Sequence, residues 1–89
     1  MRDVFTALSS PARRQILELL RERALSAGEI AERIPLAKPT LSGHFNVLKE
    51  AGLVSADRQG NSIVYRINTS VVEDALAALL RLTRREEVE

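Results

Sequence analysis

Apolar residues recur along the chain at helical spacing, and short polar interruptions divide them into five helical stretches and one stretch of alternation. Val4, Phe5 and Leu8 form an i, i+1, i+4 stripe that predicts a short helix over residues 2–8. Ser9-Ser10-Pro11 then breaks and restarts the chain. Ser10 offers the hydroxyl of an N-cap, and Pro11 suits a first helical position, where a missing N–H removes nothing. The helix that follows, 10–22, turns Ile16, Leu17, Leu19 and Leu20 inward and leaves Arg13, Arg14, Glu18 and Arg21 mostly outward. Ser26-Ala27-Gly28-Glu29 has the capping-box form and opens a third helix over 26–34, with Ala27, Ile30, Ala31 and Ile34 apolar and Pro35 as its stop. A fourth helix over 38–51 places Leu41, Phe45, Leu48 and Ala51 inward and closes at Gly52.

The period then changes to two. Residues 53–58 and 63–67 flank Gln59-Gly60-Asn61-Ser62, in which Gly60 and Asn61 supply the positive-φ residues of a tight hairpin. Ile63, Tyr65 and Ile67 alternate with Val64 and Arg66, so one face is buried more than the other. A second capping-box pattern, Ser70-Val71-Val72-Glu73, opens a last helix over 70–84, and a charged tail at 84–89 is expected to fray. Helix 26–34, the turn Pro35-Leu36-Ala37 and helix 38–51 make a helix-turn-helix, and the hairpin over 53–67 makes it winged. The expected fold is mainly α with a small β-hairpin: four helices, a two-stranded wing and a C-terminal helix, in a single domain over 1–89.

The last helix is too apolar for a surface helix of a small monomer. Nine of the twelve residues from Val71 to Leu82 are apolar, all but Glu73, Asp74 and Arg81, whereas one buried stripe needs only about 100° of the circumference. Eighty-nine residues provide too few other elements to surround such a helix. It also lacks the flanking aromatics and positive charge of a membrane-lying helix. A two-fold homodimer is expected, in which the first and last helices pack against their copies through Val4, Phe5, Leu8, Val72, Leu76, Leu79 and Leu80.

Composition narrows the chemistry. Cysteine is absent and His44 is the one histidine, which excludes disulfides, thiolate metal sites and cysteine nucleophiles and leaves no material for a triad or a multi-histidine metal site. No nucleophile–base pair, paired carboxylates or phosphate-cradling glycine loop is present, so an enzyme is not expected, nor a cofactor or bound metal. No apolar run reaches the roughly 18 residues of a membrane span and no signal pattern opens the chain, so a cytoplasmic protein without direct membrane insertion is expected. The net charge of +1 conceals a split: residues 1–66 hold ten Lys/Arg against seven Asp/Glu, and 67–89 hold three against five. A surplus of this size is compatible with a polyanion and equally with a solvated surface.

The fourth helix is better evidence for double-stranded DNA. It is long enough to lie in a major groove, and its positive dipole end faces phosphates or base edges. Its outer first turns read Lys38, Pro39, Thr40, Ser42 and Gly43, small and polar enough to approach bases closely. The hairpin tip adds Arg58, Gln59, Asn61 and Ser62 for flanking backbone or minor groove. His44 has no ligand partners; a helix-flank hydrogen bond or a phosphate contact is expected of it. Arg13 and Arg14 are open to phosphate contact, solvation or internal pairing, and Tyr65 is expected to anchor the wing to the core. Ala37 stands where a Ser or Asn cap is usual, and Gly43 interrupts the helix interior. That glycine is either a tolerated weak spot or a point of close approach to DNA.

At these residues the chain resembles a known family. Phe5-Thr6-Ala7-Leu8-Ser9-Ser10-Pro11-Ala12-Arg13-Arg14-Gln15-Ile16-Leu17 is similar to the first two helices of ArsR/SmtB-type winged-helix repressors. So are Leu41-Ser42-Gly43-His44-Phe45-Asn46-Val47-Leu48-Lys49-Glu50-Ala51-Gly52-Leu53-Val54 and the wing Arg58-Gln59-Gly60-Asn61-Ser62-Ile63-Val64-Tyr65. The compact length looks closest to the metal-independent, SdpR-like autorepressor branch. The resemblance implies a dimer that docks two recognition helices in successive major grooves of an imperfect palindromic operator and blocks transcription. Lys38, Pro39, Thr40, Ser42 and Gly43 match the family's base-reading and phosphate-contacting stretch, and Arg58, Gln59, Asn61 and Ser62 its wing tip. Metal-sensing members use cysteines at the start of the third helix or Asp/His pairs on the last. Here Leu25-Ser26-Ala27-Gly28-Glu29-Ile30 has no thiol, and Glu73 and Asp74 have no histidine beside them, so metal release through either site is not expected. Release is left to a small ligand at the dimer interface or to a protein regulator, of which sequestration by a membrane-embedded immunity-type partner is one implied route. The alternative is a winged-helix protein-interaction module without specific DNA binding; exposed aromatics or leucines on the recognition helix would favour it, and that helix is polar instead.

Overall fold

Each element begins or ends where local chemistry supplies a backbone partner. The computed structural model describes residues 3–84, as α1 Val4–Leu8, α2 Pro11–Glu22, β1 Leu25–Ser26, α3 Ala27–Arg33, α4 Lys38–Glu50, β2 Val54–Gln59, β3 Ser62–Ile67 and α5 Thr69–Leu80. Asp3 caps α1 by accepting from the Thr6 N–H; Arg2, where the first helix was expected to begin, lies outside the described residues. Ser10 Oγ accepts from the Arg13 N–H and Pro11 occupies N1 of α2, as its sequence predicts. The capping box of α3 forms in full: Ser26 Oγ accepts from the Glu29 N–H, and the Glu29 carboxylate accepts from the Ser26 N–H. That amide, with Arg23 beside it, holds the Glu29 carboxyl below its usual range. Ile34, restricted by Pro35 after it, leaves the helix in extended geometry.

The exit from α4 fixes where the sheet begins. Gly52 takes φ +78° and donates to the Lys49 carbonyl, while the Leu53 N–H reaches the Leu48 carbonyl, both at 3.0 Å. These two bonds are those of a Schellman motif, and they turn the chain into β2. The hairpin closes with Gln59 opposite Ser62, leaving a two-residue loop. Only Gly60 has positive φ there, at 62°. The expectation of a positive φ at Asn61 is therefore corrected; one left-handed glycine at the first loop position suffices, as in a type II′ turn.

Three further expectations are corrected. The wing is not a two-stranded hairpin alone: Leu25 and Ser26 pair antiparallel with Tyr65 and Val64, giving a three-stranded sheet in the order β1-β3-β2. Two residues carry no alternation, so this strand is defined only by its partner. The box Ser70-Val71-Val72-Glu73 does not form either. The N-cap of α5 is Asn68, whose Nδ2 donates to the Gly52 carbonyl and whose Oδ1 accepts from Ser70 Oγ. The tertiary bond to Gly52 thus holds the entry two residues early, at Asn68 in place of Ser70. At the far end α5 stops at Leu80 and not Arg84; the Leu82 and Thr83 amides bond three residues back, in a tightened last turn. The tail from residue 85 onward lies outside the described residues.

One apolar cluster sits where α2, α3, α4 and the sheet base meet. Ile16, Leu20, Ile30, Leu48 and Leu53 are its most enclosed side chains, joined by Leu41, Phe45 and Tyr65. The Phe45 and Tyr65 rings stack with centroids 4.4 Å apart, which anchors the wing to α4 as expected of Tyr65. Burial also pushes the Tyr65 phenol up from its usual pKa. Ile67 is half-buried, whereas Ile63, nearer the tip, lies beyond the core and is exposed. No described helix is long and apolar enough to cross a membrane.

Gly52 gives the first prediction. A Cβ there meets only Val71 Cγ2, at an ordinary 3.9 Å, so backbone conformation alone opposes it. Gly52→Ala is expected to lower stability by about 1–2 kcal/mol, measured by urea unfolding; an unchanged midpoint would contradict the strained exit.

Candidate nucleic-acid interface

Helix α4 has two unlike sides. Leu41, Phe45 and Leu48 are buried, while Lys38, Pro39, Thr40, Ser42 and Gly43, the stretch predicted to face DNA, are all exposed. No side chain caps its N-terminus at Ala37, and the ladder begins with the Leu41 N–H on the Ala37 carbonyl. Pro39 has no N–H, so the uncapped donors at the positive end of the dipole are the amides of Ala37, Lys38 and Thr40. Lys38 and Ser42 border a shallow cleft of about 230 Å³ against Ala27, Gly28 and Ala31 of α3, whose small side chains leave this edge of α4 open.

Sequence reasoning passed over Asn46. It is exposed, and its carboxamide makes no hydrogen bond among the described residues. Its spacing was the available signal: it lies three residues beyond Gly43 and four beyond Ser42, on the same strip of helix. Gly43 lies in helical backbone, and a Cβ there would meet nothing within 4 Å. Internal packing therefore does not demand glycine at this position.

At the hairpin tip, Arg58, Gln59, Asn61 and Ser62 are all exposed. Arg66 pairs across the strands with Asp57 at 3.7 Å, whereas Arg58 makes no ion pair among the described residues. Lys38 is likewise unpaired, so these two cations remain free for an outside anion.

His44 and the two neighbouring arginines of α2 are engaged internally. Arg13 donates through Nε to the Ala7 carbonyl, through Nη2 to the Thr6 carbonyl and through Nη1 to His44 Nδ1. Arg14 donates to the Leu8 carbonyl at 2.7 Å. The last carbonyls of α1 turn these cations inward, and of the roles open to them internal pairing is the one the structure shows. His44 is half-buried on the flank of α4; desolvation, with Arg13 second, holds its pKa below the usual 6.5.

On another face, α5 buries only Ala75 fully. Phe5 of α1 and Leu76, Leu79 and Leu80 of α5 are exposed, whereas Val4, Leu8 and Val72 are half-buried against the core. A groove of about 290 Å³ between the two helices is lined by Val4, Phe5, Val71, Asp74, Ala75 and Ala78. Among the described residues no three His, Cys, Asp or Glu side chains are grouped to hold a metal, and Glu73 and Asp74 are exposed.

Two measurements follow from this geometry. Gly43→Ala is expected to raise stability by about 1 kcal/mol, or about 4–8 °C in Tm for a domain of this size; a lower Tm would mean the site is packed after all. His44 in the folded chain takes up its proton at lower pH than in the unfolded chain. Its contribution is therefore intact above about pH 6.5 and is lost as pH falls toward the depressed folded value. The urea midpoint is expected to be lower at pH 5.5 than at 7.5, and His44→Gln to flatten that difference; equal slopes in both proteins would refute it.

Known proteins share this arrangement. Residues 10–56 match the profile described as "Bacterial regulatory protein, arsR family". The chain is 41% identical to the transcriptional repressor SdpR of Bacillus subtilis, over 96% of this chain and 94% of that one. Among solved structures, Rv0081 of Mycobacterium tuberculosis is 40% identical, with a TM-score of 0.73 over 90% of this chain and 82% of its own. A possible transcriptional regulator for arsenical resistance superposes with a TM-score of 0.86 at 25% identity, over 96% and 88% of the two chains. With its winged helix-turn-helix and a match across nearly its whole length, the chain belongs to the ArsR family of DNA-binding transcriptional regulators, which are not enzymes.

Proposed function

We propose that this chain is a cytoplasmic homodimeric repressor that binds an imperfect palindromic operator, including one upstream of its own gene. The observation that carries this reading is the bare strip of α4, where Lys38, Pro39, Thr40, Ser42, Gly43 and Asn46 stand exposed behind an uncapped N-terminus. Such a strip lets a helix lie deep in a major groove, with the amides of Lys38 and Thr40 on phosphate. The gap at Gly43 admits the floor of the groove, and the Asn46 carboxamide suits the N6 and N7 edge of adenine. Arg58, Gln59, Asn61 and Ser62 reach the flanking backbone or minor groove, positioning the helix without reading sequence.

The dimer rests on the apolar face. Phe5, Leu76, Leu79 and Leu80 leave an uncovered band along α1 and α5, and a two-fold copy covers it with the same residues. Val4, Leu8 and Val72 support the band from beneath. Kinship with SdpR, a repressor, supports repression as the outcome. Occupancy is set by a protein or small-molecule regulator, or by the repressor's abundance, and not by metal through the family's usual sites.

Fluorescence anisotropy on DNA from upstream of the gene, with unrelated duplex as competitor, tests this reading. Two protomers per site and strong preference over competitor are expected, unchanged by micromolar zinc, nickel or arsenite. Lys38 and Arg58 of both protomers predict a slope of log affinity on log salt of about −3 to −4. Leu76→Glu with Leu79→Glu is expected to give a folded monomer by ultracentrifugation, weaker on the operator by about 100-fold or more. Equal, weak binding to both DNAs would leave the protein-interaction module instead.

A further inference from the structure

Three donors of one guanidinium meet at the corner where α1, α2 and α4 converge. Arg13 is the third residue of α2, and its own N–H is taken by Ser10 Oγ. Its side chain doubles back across the α1–α2 turn. Nε donates to the Ala7 carbonyl at 2.7 Å and Nη2 to the Thr6 carbonyl at 3.2 Å, both in the last turn of α1. The remaining arm, Nη1, donates to His44 Nδ1 on α4 at 3.1 Å. A planar fork serves two elements in fixed geometry, which a lysine ammonium cannot do.

His44 follows Gly43 directly, so the bond grips α4 beside the strip that faces outward. On the other side, α1 carries Phe5 in the apolar face it shares with α5. Arg13 therefore stands between the surface that faces a second copy and the surface that faces DNA. Because His44 accepts through Nδ1, its proton sits on Nε2; an imidazolium has N–H donors at both nitrogens and nothing to accept with. Around the ring, α1 contributes no titratable side chain from Val4 to Leu8. On α4 the neighbours one turn away, Thr40, Leu41, Val47 and Leu48, are uncharged. From α2 the charged group acting on the ring is Arg13, Arg14 being held on the Leu8 carbonyl.

We propose that Arg13 is a positioning residue for DNA recognition. By tying the end of α1 to neutral His44 it sets the angle of α4 against the α1–α5 face, and with it the separation of the two DNA-reading helices; protonation of His44 releases the tie. The proposal rests on the dimeric, operator-binding reading above.

The test is the ratio of operator to unrelated-duplex affinity, measured by anisotropy at fixed salt between pH 7.5 and 5.5. In the unmodified protein the ratio is expected to fall roughly tenfold on acidification, the effect of losing one charge-assisted hydrogen bond. His44→Gln, whose amide oxygen accepts at any pH, is expected to keep the ratio high and flat. Arg13→Lys, which keeps the charge and loses the fork, is expected to be low at both pH values while still binding unrelated duplex. A ratio that does not change with pH, or an Arg13→Lys protein as selective as the parent, overturns the proposal. Operator affinity that rises on acidification and loses that rise in His44→Gln also overturns it, since His44 would then be a direct phosphate contact. Absence of any operator preference at pH 7.5 defeats the DNA-binding reading itself, and this proposal with it.

Discussion

Thirteen residues of α4 have to plug the core and leave their other side bare. The two demands are compatible because helical spacing separates them. Leu41, Phe45 and Leu48 occupy one stripe, and Pro39, Gly43 and Asn46 the opposite one. Since the inward stripe and the flank at His44 seat the helix, the outward residues are released from packing and free to be small. The rest of the fold is arranged around that division. Small residues of α3 open one edge of α4, Tyr65 stacks on Phe45 to bring the wing in, and Gly52 turns the chain sharply enough for β2 to start beside the same core.

What was legible in the sequence was what depends on near neighbours. The Ser10 cap, the Ser26–Glu29 box and the Gly52 exit each involve partners within a few residues, and each forms where its pattern stands. The failures share the opposite property. β1 exists only because Tyr65 and Val64 lie opposite it. The Ser70–Glu73 pattern is locally sound, yet Asn68 is held by the Gly52 carbonyl, sixteen residues away, and the helix starts from there. Arg13 has the spacing of an outward residue, but the open carbonyls of α1 lie across a corner that periodicity cannot see.

The exposed strip of α4 was equally legible as a surface, because amphipathic spacing yields both faces at once. Asn46 was missed for a simple reason: attention to the first two turns stops short of it. The two glycines on either side of the helix end illustrate how differently one residue type is used. Gly52 is required by its backbone conformation, whereas Gly43 answers to no internal contact and leaves the middle of the helix intrinsically weaker. The exit of α4 is fixed by a backbone conformation that glycine alone adopts readily, whereas its exposed strip carries a glycine that costs helix propensity.

Ser26 belongs to two structures at once. It is the second residue of β1, opposite Val64, and it is also the N-cap of α3. The base of the wing and the first helix of the helix-turn-helix therefore share one residue. Peeling β1 from β3 disturbs the cap, and fraying α3 loosens the strand. Through this one residue the sheet and the helix-turn-helix are coupled, so that a local opening of either weakens the other.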